Sequence, residues 1–429
     1  MEGQKPEGRQ RRTVSGGPLD GKPFEVTGYE VWNAWRKVRE NKGAPGVDEQ
    51  SIAAFEERLE DNLYKIWNRM SSGSYFPPPV RAVEIPKAGG TRTLGVPTIA
   101  DRVAQTVAAH RIGIATEKFF HRDSYGYRPG RGQHDALAVT RKRCWDYDWV
   151  IDLDVEKFFD SVPWDLVVKA VEGLGLPPWV LLYVKRWLAV PLVMPGGEVV
   201  ERDRGTPQGS AVSPVLTNLF LHWAFDAWMD REFPDCPFER FADDAVIHCK
   251  TEARARQVLA ALEARMAEVG LRLHPAKTRI VYCKDSSRRK PWGGPVSFDF
   301  LGYTFRPRTT MGKNGMFTGF DLAVSGKAVK AMSEAVSGWQ LRRHVHLTWE
   351  QLVTWIGPVI QGWMNYYGKF RRSGLYPLLA RINYHVQKWL RAKYKRLRPV
   401  RVMLRAWERI TAQDPGRMPQ WEWVTGAWY

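Results

Sequence analysis

The stretch Phe238 to Cys249, F-E-R-F-A-D-D-A-V-I-H-C, constrains this chain more than any other. Two short β-prone runs flank the adjacent acids Asp243 and Asp244. Neighbouring carboxylates at a bend repel each other. One reading is an ordinary hairpin turn, where Asp is common. The other is a carboxylate platform for Mg²⁺, which prefers hard oxygen ligands and usually takes one or two carboxylates plus substrate phosphates. A further acid on a strand able to lie alongside decides between them. Val150 to Asp160, V-I-D-L-D-V-E-K-F-F-D, supplies it. Val150, Asp152 and Asp154 alternate with Ile151, Leu153 and Val155, as in a strand with acids on one face. Acids on such a strand need solvent or a cation.

Between the acidic sites lies Arg204 to Pro214, R-G-T-P-Q-G-S-A-V-S-P, which opens a helix with Ser213 as cap and Pro214 in the first turn. With D-V-E-K-F-F-D, T-P-Q-G-S-x-x-S-P and F-A-D-D in this order, the chain resembles a bacterial group II intron-encoded reverse transcriptase/maturase. The resemblance implies an α+β right-hand polymerase with fingers, a palm of mixed β-sheet with packed helices, and an all-helical thumb. It divides the chain into a mobile basic tail (1–28), an N-terminal extension with fingers (29–150), a palm (151–307) and a helical thumb or maturase region (308–429).

Composition agrees. The formal net charge of +18 calls for a polyanionic partner, nucleic acid before a membrane surface. No apolar run is long enough to span a membrane and the N-terminus lacks a signal-peptide core, so a cytoplasmic protein is expected. Cys144, Cys236, Cys249 and Cys283 are widely spaced and suggest neither a zinc site nor a disulfide framework.

In chain order, Tyr29 to Glu40 reads as a helix. Asn41 to Asp48 is a Gly/Pro loop before a helix from Ser51; by resemblance it belongs to a template-gripping extension. Ser74 to Pro97 reads as a hairpin bending at Gly89-Gly90. Lys87 and Arg92 flank that bend, and the resemblance gives them the incoming triphosphate. Asp101 to Ala115 reads as a helix. His121 to Ala136 mixes Arg with Tyr, which suits nucleic acid and points to Arg128. Pro163 to Leu174 reads as a helix, Leu192 to Glu201 as a second hairpin, Ser213 to Phe233 as one long helix, and Ala253 to Val269 as another. Leu271 to Thr278 and Phe298 to Phe305 resemble the family's last two polymerase motifs. From Gln351 to Trp407 there is no acid, yet there are twelve Lys or Arg. Such a single-sign stretch repels itself unless a polyanion compensates. It offers Lys369, Arg371, Arg372, Lys388, Arg391, Lys393, Lys395, Arg396 and Arg398 as contacts to RNA. Trp363, Tyr366, Tyr367 and Phe370 follow a helical stripe and read as core.

Nucleotidyl transfer between a primer 3′-oxygen and an α-phosphate can use two metal ions as a clamp. Asp154 and Asp243 are the candidate principal Mg²⁺ ligands, with Asp244 supporting. Asp152 is a rival by strand face. The resemblance favours Asp154, because the family's aromatic lies five residues beyond its ligand, here at Phe159. A ring there would clash with a ribose 2′-hydroxyl and favour dNTPs. Gln208 and Gly209 would lie against the nucleotide, and the family motif puts Lys277 near the active site. The expected partners are structured RNA, a group II intron first, then an RNA template/DNA primer duplex and dNTPs. The family's Cys/His-rich endonuclease domain has no counterpart, so second-strand cutting is not expected. The alternatives are a splicing-only RNA-binding maturase, argued against by the intact acids; a domesticated reverse transcriptase in defence or repair; and an RNA replicase, disfavoured by Phe159.

Overall fold

Thr27 begins the first helix through a capping box, its hydroxyl accepting from the Glu30 amide while the Glu30 carboxylate accepts from Thr27 N. This computed structural model describes residues 22–87, 90–288, 290–312 and 315–427. Of the expected tail, residues 1–21 lie outside the described residues. Residues 22–28 are packed: Phe24 N donates to Ser71 O (3.1 Å) and Trp67 Nε1 to Val26 O (2.7 Å).

The elements run α1 (Gly28–Glu40), α2 (Ile52–Glu56), α3 (Leu59–Ser72), β1 (Val80–Lys87), β2 (Gly90–Val96), α4 (Ile99–Glu117), α5 (Gln133–Asp146), β3 (Trp149–Leu153), α6 (Phe158–Ser161), α7 (Trp164–Glu172), α8 (Pro178–Leu188), β4 (Leu192–Val193), β5 (Val199–Val200) and α9 (Ser213–Leu221). A π-helical turn, His222–Asp226, leads into α10 (Ala227–Glu232), β6 (Phe238–Phe241), β7 (Asp244–Cys249), α11 (Glu252–Glu268), β8 (Arg279–Tyr282), β9 (Phe298–Phe300), β10 (Tyr303–Gly312) and β11 (Gly315–Val324). Helices α12 (Gly326–Gly338), α13 (Trp349–Tyr367), α14 (Tyr376–Lys393) and α15 (Val400–Gln413) follow. The long helix expected from Ser213 is thus interrupted by the π turn. Its cap is Val212, while Ser213 is already helical and gives its hydroxyl to Pro207 O (3.0 Å).

The chain forms two compact units. The first takes residues up to 120 and 157–223. Its sheet has the order β2-β1-β4-β5. Around it α1 buries Val31, Ala34, Trp35 and Val38 on one stripe, and Trp35 stacks on Phe55 at 4.9 Å.

The second unit takes residues 121–156 and 224–429. Its central sheet has the order β6-β7-β3-β8. Where a mixed sheet is expected, all three strand pairs are antiparallel. The parallel element beside them is the isolated bridge Ser124–Arg240. Val150, Ile151, Val246, Ile247 and Val281 are fully buried, so the middle strands are covered on both faces. A second sheet, β11-β10-β9, follows, and α12–α15 close a separate core around Leu352, Ile356, Ile360, Leu379 and Trp389. The expected stripe packs as core: Trp363 and Tyr367 against this cluster, and Tyr366 and Phe370 against the core beside β9–β11. The division at 150/151 falls inside β3 and that at 307/308 inside β10, because strand pairing joins what motif order separates.

Candidate active site

Strand register organises the acids. In the β3–β7 ladder Leu153 faces Ala245 and Asp152 faces Val246. One step further the same register sets Asp154 across from Asp244. Asp243 occupies the two-residue turn between β6 and β7, after Ala242. The segment after α11 runs beside Asp154: His274 N donates to Asp154 O (2.8 Å), and Asp154 N to Thr278 Oγ1 (3.3 Å). It delivers Lys277, whose Nζ lies 3.1 Å from Asp154 Oδ1.

The two rival acids of β3 have different partners. Asp152 is paired with Arg279 at 2.9 Å, and burial pushes its carboxyl up to about 6 against that pull. Asp244 is pushed up to about 7 by desolvation, then by Asp243, Asp154 and Asp152, with Lys277 opposing, although its outer edge meets solvent. Asp243, Asp154 and Asp152 all act on the Asp244 carboxyl, and a crowded donor set of this kind is one that a cation relieves. Among the described residues, no three His, Cys, Asp or Glu side chains already form a metal cage. Mg²⁺ takes one or two carboxylates and completes its shell from water and phosphate, so the open donor set of Asp154, Asp243 and Asp244 fits it.

The turn is held from behind. Arg240 donates through Nε and Nη2 to the two oxygens of Asp226, each at 2.6 Å, with almost no solvent access. Its Nη1 donates to Ala242 O (3.0 Å), where the backbone takes a φ of +59°. The Tyr125 amide donates to Arg240 O, and a Cβ on Gly126 would lie 2.4 Å from Ala242 N. Only glycine lets this loop approach the turn so closely. Beside it, buried Glu239 accepts from Thr140 Oγ1 and Arg143 and pairs with His248 Nε2 at 2.7 Å. Sequence reasoning missed these supports; the signal available was a run of charged residues inside an apolar strand pair.

Apart from Lys277, which belongs to the second unit, the expected nucleotide residues lie in the first. Phe158 is buried, whereas Phe159 is half-buried with its ring 5.4 Å from that of Phe158. The Thr206 amide donates to Phe159 O (2.7 Å) and the Gly95 amide to Gln208 O (2.7 Å), so the T-P-Q-G loop runs between α6 and β2. Gly209 has a φ of +113°, and a Cβ there would meet Gly95 O at 2.5 Å. Gln208 lines a cleft of about 350 Å³ with Thr93, Asp160 and Arg202. Ile85 faces Arg92 and Lys87 faces Gly90, which puts positions 87 and 92 on one face of the hairpin. The described residues stop short of its tip at 88–89. Burial raises the Asp160 carboxyl, and Lys157, Arg202 and Arg92 oppose this, so Arg92 acts on the segment carrying Phe159. A pillar from α4 went unforeseen: Gln105 Oε1 accepts from Ser210 Oγ (2.7 Å) and Ala211 N (2.8 Å). Its amide nitrogen donates to buried Asp101, which also accepts from Tyr75 and Trp187. Two polar residues four apart in an apolar helix were the available signal.

The expected RNA contacts divide. Arg128 is a correction: it is buried, and its Nη1 donates to His121 O and Ser124 O at 2.6 Å each, so it shapes its loop. Arg371 gives Nη2 to Thr309 O (3.0 Å), Lys369 is exposed, and Arg372 is exposed with its guanidinium over the Trp423 ring. Lys388, Arg391 and Lys393 lie on α14, which ends there; Lys395 and Arg396 sit in a 3₁₀ turn, followed by Arg398. Lys393 Nζ caps Val345 O and Leu347 O, Arg391 Nε donates to Arg398 O, and Lys388 lies over Tyr384. Lys395, Arg396 and Arg398 are exposed.

Residues 85–305 match the family described as reverse transcriptase (RNA-dependent DNA polymerase), which is half the chain. The chain belongs to the reverse transcriptase family. Residues 329–407 match the maturase-specific domain of group II introns, and RNA binding goes with both assignments. The family works with divalent metal ions. Protein YkfC of Escherichia coli is 28% identical over 326 residues, 65% of this chain and 81% of that protein. The group II intron-encoded protein LtrA of Lactococcus lactis is 26% identical over 197 residues, 44% of this chain and 32% of LtrA. A putative COX1/OXI3 intron 1 protein of Saccharomyces cerevisiae is 28% identical over 169 residues, 39% of this chain and 20% of that protein. The alignments thus span a third or less of these two intron proteins. No helix among the described residues is long and apolar enough to cross a membrane.

Proposed function

We propose that this chain copies RNA into DNA by two-Mg²⁺ nucleotidyl transfer and binds structured RNA of group II intron type, assisting its splicing. The observation that supports the reading is the register of β3 and β7, whose last pair, Leu153–Ala245, directly precedes Asp154 on one strand and follows Asp244 on the other. These carboxylates would hold the ions, which when bound stabilise the charge that develops on the attacking and leaving oxygens. Before they bind, Lys277 balances Asp154. Phe159 would stand under the sugar and exclude a 2′-hydroxyl. Gln208 and Gly209 would border the nucleotide, with Gly209 letting the T-P-Q-G loop approach β2. Lys87 and Arg92 would neutralise the triphosphate of the incoming dNTP.

In this reading residues 29–150 serve as extension and fingers, the strands around β3 and β7 as palm, and α12–α15 as thumb. The template RNA with its DNA primer is the substrate, and a cytoplasmic protein with four free cysteines is the form proposed. Primer extension on an RNA template with dNTPs and Mg²⁺ tests it. Extension that needs Asp154 and Asp243 is the expected result. A purified chain that binds RNA but never extends would leave only the maturase half.

A further inference from the structure

The β10–β11 hairpin was not foreseen and has no part in the function proposed above. Its ladder is continuous from Tyr303–Val324 to Gly312–Gly315. At the base, one face is core: Tyr303, Phe305, Phe320 and Leu322 are buried. The same face continues outward to Met311 and Met316, a cross-strand pair left 72% and 71% exposed. On the other face, the register groups Phe317, 48% exposed, with Arg306 and Arg308. Beyond position 307 the arm extends roughly 17 Å at about 3.4 Å per residue.

The arm is also cationic. Between Tyr303 and Val324 the sole acid is Asp321, already paired with Arg141 at 2.8 Å. Arg306 is exposed, and Arg371 reaches the hairpin at Thr309 O. Burial, with Arg306 and Arg371 nearby, pulls the Arg308 guanidinium down to about 10. Cations beside exposed apolar side chains suit an occupant with both phosphate and apolar surface. Unpaired nucleotides offer both, because their base faces are free to meet methionine and phenylalanine. A duplex hides those faces in its stack.

We propose that the outer half of this hairpin is a docking arm for an unpaired nucleic-acid strand, with Met311, Met316 and Phe317 against bases and Arg306 and Arg371 on phosphates. The proposal rests on the nucleic-acid polymerase reading above. Its test uses the full chain with Met311→Ser, Met316→Ser and Phe317→Ser combined, and separately Arg306→Gln with Arg371→Gln. Fluorescence anisotropy is read with an unstructured 20-nucleotide RNA, the same DNA sequence and a 20-base-pair RNA duplex, over a salt series. The serine variant should bind the unstructured RNA about tenfold more weakly, the scale of one stacked base removed, with an unchanged salt slope. Its duplex affinity should move less than twofold. The glutamine variant should flatten the slope by about one unit for each phosphate that it no longer neutralises. Equal weakening on the RNA and DNA strands identifies a general single-strand arm; weakening on RNA alone assigns it to RNA. Unchanged binding to both unpaired strands overturns the proposal. So does unchanged binding accompanied by a loss of self-association on size exclusion, which would make the arm a protein contact. Wild-type primer extension run in parallel separates this failure from that of the polymerase reading.

Discussion

Arg240 and Asp226 meet at 2.6 Å with almost no solvent, in the element that presents Asp243 and Asp244. Removing one partner of such a pair leaves a buried charge uncompensated, at a cost of about 3–5 kcal/mol. Asp226→Asn should therefore lower the melting temperature by roughly ten degrees, at about 2–4 degrees per kcal/mol for a protein this large. It should also raise the Mg²⁺ concentration needed for half-maximal extension, because the turn loses its brace. A lower melting temperature with an unchanged Mg²⁺ requirement would make the pair purely structural. Phe158 and Phe159 separate along the same line. Phe158→Val should cost stability, since its ring is buried. Phe159→Val should raise the ratio of rNTP to dNTP incorporation. An unchanged ratio would remove Phe159 from the sugar site.

At the scale of elements, α4 supports the T-P-Q-G loop through Gln105 and Asp101. Burial pushes Asp101 up to about 6, opposed by hydrogen bonds from Trp187, Tyr75 and Gln105. Its folded value lies above the unfolded one, so the folded state holds the proton longer. The resulting penalty is absent below about pH 4, grows as pH rises toward 6, and reaches roughly 3 kcal/mol above it. Asp101→Asn cannot titrate, so its stability relative to wild type should improve steadily from about pH 4 to about pH 6.5. Any hydrogen bond lost to Gln105 is independent of pH and does not change that trend. A constant difference in denaturant midpoint across this range would show that Asp101 does not titrate there. Helix starts were legible to within two residues at Tyr29 and Asp101, where Thr27 and Thr98 prove to be the caps, while Ser213, read as a cap, is already helical. The π turn was not legible, since nothing in an apolar helical run marks one inserted residue. The β10–β11 hairpin was passed over although Asn314-Gly315, a strong hairpin dipeptide, lies where its strands meet, because its outer residues show no buried alternation.

At the scale of the molecule, the strand positions of the acids and the approach of Lys277 to Asp154 could be read ahead because each motif is local. The two-unit division could not, because residues 157–223 join the first unit through pairings that motif order cannot reveal. The basic stretch was legible in sign but not in use. Arg391 and Lys393 hold neighbouring carbonyls, whereas Lys395, Arg396 and Arg398 face solvent. Changing the exposed three to Gln should flatten the salt dependence of structured-RNA binding by about one unit or a little less for each phosphate released. Splicing assistance should fail before extension on a short pre-annealed duplex. An unchanged slope would make these cations a solvated face. The central claim is that Asp154 and Asp243 work together as metal ligands although they lie far apart in sequence. Single-turnover primer extension on an RNA template, with dNTPs and Mg²⁺, measures this directly for wild type, Asp152→Asn, Asp154→Asn and Asp243→Asn. Wild type should extend, and Asp154→Asn and Asp243→Asn should not, while both bind RNA almost as wild type does and Asp152→Asn keeps activity. Near-normal extension by Asp154→Asn or Asp243→Asn would contradict the account.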